Sequence, residues 1–104
     1  MIEVVYRFEE FRQKLNMDMP VHHVGIYVPV DKLGLYHKLT FRVYGISHKG
    51  HIIVFEAKEV FEAVGKEVSE KGSQIFQKFV QQYAEPLGST EGKWVSGDGG
   101  LNGC

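Results

Sequence analysis

Cysteine occurs once in the 104 residues, as Cys104. A single thiol forms no internal disulfide, so the fold owes nothing to oxidation, which fits a reducing compartment. No apolar run approaches the roughly 18 residues that a membrane-spanning helix requires. The opening Met1–Arg7 stretch is too polar for a secretory leader. The expectation is a soluble, cytoplasmic protein with no membrane contact. Charge of one sign is lacking too: 12 Lys and Arg stand against 13 Asp and Glu, a net charge of -1. No global field gathers nucleic acid or an anionic membrane. Catalytic templates are absent: there is no GxSxG, P-loop, GxGxxG or HExxH. Gly97-Asp98-Gly99-Gly100 joins no strand to a helix and cradles no phosphate. The balance of residues therefore favours a non-catalytic module.

The chain does hold enough apolar side chains, 43% against 24% charged, to bury one core. Ile2 to Phe8 is rich in β-branched and aromatic residues and reads as a strand. Phe8, Phe11 and Leu15 then repeat at helical spacing over Glu9 to Leu15. Pro20 stops that helix. Val21 to Val28 alternates as a second strand, with His22, Val24, Ile26 and Val28 on one face and Val21, His23, Gly25 and Tyr27 on the other. By that pattern His22 belongs among apolar neighbours as a hydrogen-bonded core histidine. Pro29 and Asp31–Gly34 close it as a loop.

Leu39–Ser47 and His51–Ala57 flank His48-Lys49-Gly50 and read as a β-hairpin. A two-residue loop at Lys49-Gly50 sets His48 opposite His51 and Tyr44 opposite Phe55. Both faces of the hairpin are apolar, and a sheet covered on one side hides only one of them. From Lys58 the period changes to 3.6, and Phe61, Val64, Val68, Gly72, Ile75, Phe79 and Tyr83 share a helical stripe. Lys71-Gly72-Ser73 offers a break into two helices, and Glu85-Pro86 an end. The order is β-α-β-β-β-α: an α+β fold, mostly antiparallel, with helices packed on one face. Residues 1–86 form the domain, and 87–104, with six of the 12 glycines, read as a tail anchored by Trp94.

Three functional expectations follow. The surplus apolar face makes self-association, as a homo-oligomer, the leading one. Clustered histidines supply the second. His48 and His51, joined by His23 from the neighbouring strand, are the candidate ligands for a divalent transition metal. For His48 and His51, solvated turn histidines are the plainer reading, ahead of a metal site. The third is a single-stranded nucleic-acid surface. Residues 21–55 carry +3 and residues 56–85 carry -2. Lys32, Lys38, Arg42 and Lys49 with Tyr36 combine cations for phosphates with a ring for stacking.

The segment His22-His23-Val24-Gly25-Ile26-Tyr27-Val28-Pro29 resembles the opening strand of the vicinal-oxygen-chelate (glyoxalase-like) superfamily, in which a strand histidine binds a metal. That module places a helix directly after the strand. Asp31–Lys38 is too short and glycine-broken for one, so the resemblance assigns no ligand here.

Overall fold

Residues 3–89 and 91–96 are described by a computed structural model of the chain. Strand β1 (Val4–Tyr6) leads into helix α1 (Phe8–Lys14), then β2 (His22–Pro29), β3 (Tyr36–Ile46), β4 (Ile52–Glu62), helix α2 (Lys66–Phe79) and β5 (Glu91–Ser96). The fold is α+β, with one mixed sheet of five strands in the order β1-β4-β3-β2-β5. The long pairings, β2 with β3 and β3 with β4, are antiparallel. The two edge pairings, β1 with β4 and β5 with β2, are parallel.

This connectivity decides which face is covered. The units β1-α1-β2 and β4-α2-β5 both join parallel strands, and both travel the same way across the sheet, skipping two strands. Crossovers of that kind share one hand, so the two helices must land on the same side. The packing agrees. Residues Leu39, Phe41 and Val43 of β3 and Ile53 and Phe55 of β4 are buried with Phe11 and Leu15 of the first helical segment and Phe76 and Phe79 of the second. Phe41 sits at the centre, with its ring 5.8 Å from Phe76 and 5.5 Å from Phe79. Among the described residues, no helix covers the other face.

The hairpin forms where the alternation places it, but in a different register. Its loop is His48-Lys49-Gly50. Ser47 accepts the Gly50 N–H at 2.9 Å and donates its own to His51 at 2.8 Å. Gly50 takes φ of 84°, the left-handed value that closes a three-residue loop. Tyr44 therefore opposes Val54, and Val43 opposes Phe55. The expected pairs Tyr44–Phe55 and His48–His51 do not form. One added loop residue shifts one strand by one position and exchanges its faces.

Three further boundaries differ from the sequence reading. Lys58–Glu62 continues β4 instead of starting a helix, because β3 begins at Tyr36, ahead of the expected Leu39, and Tyr36–Thr40 pairs with it along its whole length. Helix α2 is unbroken across Gly72, which is buried against the sheet side; it loosens into a π turn over Val80–Ala84 and a 3-10 turn over Glu85–Leu87. The glycine-rich segment expected as a tail supplies β5, and Leu87 before it is buried. Trp94 of β5 stands beside Gly25 and meets the Phe76 ring edge-on at 5.4 Å. The final eight positions, 97–104, lie outside the described residues, as do 1, 2 and 90. No helix follows β2, and no helix among the described residues is long and apolar enough to cross a membrane.

Candidate functional site

The bare face of the sheet is built from the even-numbered positions of β2, β3 and β4. Strand β2 contributes Val24, Ile26 and Val28, β3 contributes Tyr44 and Ile46, and β4 contributes Ile52 and Val54. Val54 lies between Val5 and Tyr44 as the direct partner of both and is fully buried. At the hairpin end, Met19 and Pro20 wall off a groove of about 240 Å³ over Tyr44, Ile46 and Ile52.

The charges at the centre of this face are paired within the chain. The Arg42 Nη2 donates to Glu3 Oε1 at 2.6 Å. Its Nε lies 3.1 Å from Glu56 Oε2, close enough for an ion pair but out of line for a hydrogen bond. The guanidinium also sits 5.0 Å from the Tyr44 ring. Burial opposes the Arg42 charge, while Glu3, Tyr44 and Glu56 outweigh it and raise its pKa. Burial raises the Tyr44 phenol as well, with Arg42 opposing. Lys58 completes the row at 3.3 Å from Glu56. The face is thus apolar ground crossed by a self-neutralised ionic band.

A second feature lies at the hairpin end of the sheet, on the β1 side. A cleft of about 450 Å³ opens between β1, the end of α1 and the hairpin loop. Val4, Ile52 and Ile53 contribute apolar lining, and Lys14, His48, Lys49 and His51 contribute the basic groups. Lys14 Nζ stands 5.3 Å from the Tyr6 ring. The His48 N–H donates to the Lys14 carbonyl at 3.2 Å and the Asn16 N–H to that of Ile46 at 2.7 Å, so the loop and the helix end are tied together.

The histidines part company. His23, not His22, faces the core: alternate residues of β2 are equally apolar on both sides, and only the helices decide which side is inside. Its Nδ1 is 2.6 Å from Ser89 Oγ, and its ring is tilted against Phe41 and Phe76. Burial, with a smaller contribution from His22, lowers its pKa below the usual 6.5. His22 is exposed on the bare face, 2.8 Å from Glu91. His37 hydrogen-bonds Tyr27 and donates from Nε2 to the Ala63 carbonyl at 3.0 Å. His48 lies in the exposed hairpin loop and His51 directly after it. The proposed metal trio of His48, His51 and His23 is not brought together, and no group of three or more His, Cys, Asp or Glu among the described residues could hold a metal ion.

The candidate nucleic-acid set is also dispersed. Tyr36, Lys38 and Arg42 share the bare face of β3, but Lys32 lies in the loop before that strand and Lys49 in the loop after it. Eleven residues of strand separate those loops, roughly 35 Å at the usual rise. Arg42 is already neutralised. Sequence reasoning missed Glu3, Tyr6, Lys14 and Ser89, whose roles come from partners far along the chain; only the +3 segment hinted at the basic cleft. Comparison of the chain with protein-family models, with curated proteins and with solved structures gives no match.

Proposed function

We propose that the chain is a non-catalytic interaction module that pairs with a second copy of itself through the bare face of the sheet. The observation that carries this reading is that face: aliphatic and aromatic side chains on three adjacent strands, with no helix among the described residues over them. Its size falls at the low end of the range. Five strands, about nine residues long at the centre of the sheet, span roughly 20 by 30 Å, or about 600 Å², where standard interfaces cover about 600–1,000 Å² per partner. Its charge is suited to a like partner. A two-fold interface sets the same patch against itself, so any net charge would repel. Here Arg42, Glu3, Glu56 and Lys58 are already paired, and burying them leaves no lone ion. A polyanion or polycation finds no net field to follow.

Light scattering on the size-exclusion peak tests the reading. A dimer is expected at high micromolar concentration, and Ile26→Lys, a charge in the middle of the face, should return it to monomer with an unchanged circular dichroism spectrum. A wild-type chain that stays monomeric at that concentration removes the proposal.

A further inference from the structure

The cleft beside the hairpin loop concentrates one sign of charge. Its lining residues include Lys14, Lys49, His48 and His51 and not one carboxylate, although the whole chain has 13 Asp and Glu to 12 Lys and Arg. Among the described residues, none of these four side chains makes an ion pair, whereas Arg12, Arg42, Lys58 and Lys78 all do. Two unpaired lysines lining one concavity favour an anion, because their potentials add. The volume of about 450 Å³ falls within the range of small-molecule sites, roughly 300 to 1,000 Å³.

The cleft also has an apolar side. Val4, Ile52 and Ile53 lie beneath the basic groups, and Tyr6 stands at the wall with Lys14 against its ring. Inorganic phosphate alone would leave that surface wet. The walls are held in place before any ligand arrives, by the His48–Lys14 and Asn16–Ile46 backbone bonds and by the Ser47 hydroxyl, which accepts the His51 N–H at 3.0 Å. A preformed site spends less of its binding energy on ordering.

We propose that this cleft binds a small organic anion, with a phosphate or carboxylate head between Lys14 and Lys49 and an apolar body laid on Val4, Ile52 and Tyr6. The cleft shares Ile52 with the groove on the bare face, while its basic groups, Lys14, His48, Lys49 and His51, line the cleft alone.

Amide NMR titration of the full chain tests it, with phenyl phosphate as the probe. Shifts are expected at Lys14 and across His48 to His51, weaker binding by inorganic phosphate, and none by benzyl alcohol. Exposed ion pairs are worth about threefold each in affinity, so Lys14→Gln with Lys49→Gln should weaken phenyl phosphate about tenfold, and raising the salt should do the same in wild type. Should the double variant perturb the fold, Lys49→Gln alone, at the loop tip, should show the threefold loss. Shifts confined to other surfaces, equal affinity in the lysine variants, or equal binding of either partial probe would overturn the proposal.

Discussion

His23 and Gly92 are register partners in neighbouring strands, and the imidazole Nε2 fills the place a β-carbon on residue 92 would take. The glycine in β5 thus makes room for a buried ring. Gly92→Ala forces either the strand or the imidazole to move. Overpacking of this kind costs about 1–3 kcal/mol, and urea unfolding followed by Trp94 fluorescence should show the loss. An unchanged midpoint would mean that the ring swings clear at no cost.

The same histidine makes stability depend on pH. Burial lowers the folded-state pKa of His23 below 6.5, so below that value the unfolded chain binds the proton more readily. Stability from this group is complete above pH 6.5 and falls as pH drops through the folded-state value, by at most about 1.4 kcal/mol per pH unit. His23→Gln should flatten the dependence in that window. An identical slope in the variant would assign the effect to other groups.

Tyr27 and His37 form a chain with a fixed direction. The Ala63 carbonyl only accepts, so His37 Nε2 carries the proton and Nδ1 accepts from the Tyr27 hydroxyl. Imidazole nitrogen NMR should report the Nε2-protonated tautomer. Tyr27→Phe should cost about 1–2 kcal/mol by leaving Nδ1 without its donor. Finding the proton on Nδ1 would reverse the assignment.

On the bare face, Arg42→Met leaves Glu3 and Glu56 without their shared cation. The side chain of Arg42 is only 20% exposed, so a loss of about 1–2 kcal/mol is expected. A double-mutant cycle with Glu56→Gln isolates the pair. A coupling energy of zero would show that the row is ornament to stability.

What the sequence made legible was local. Gly50 marked the turn, and Val68, Gly72 and Phe79 marked the buried side of α2, because hairpin alternation and helical spacing are properties of neighbours. The register was not legible, since two- and three-residue loops suit Lys49-Gly50 equally and differ only in where the positive φ falls. Lys58–Glu62 has a helical apolar spacing and became strand through pairing with Tyr36–Thr40. Strand β5 was hidden by its glycine, yet Gly92 is there because His23 needs the space. The basic cleft joins Lys14 to Lys49 across 35 positions, and no spacing rule reaches that far.

The two outermost strands, β1 and β5, come first and last of the five in chain order, and this sets the order in which the chain becomes safe from its neighbours. During synthesis the β2–β3–β4 meander and α2 emerge while the outer edge of β2 still offers unpaired N–H and C=O groups. Only when Glu91–Ser96 leaves the ribosome does that edge close. A nascent chain stalled before Trp94 is therefore the form most exposed to misassembly.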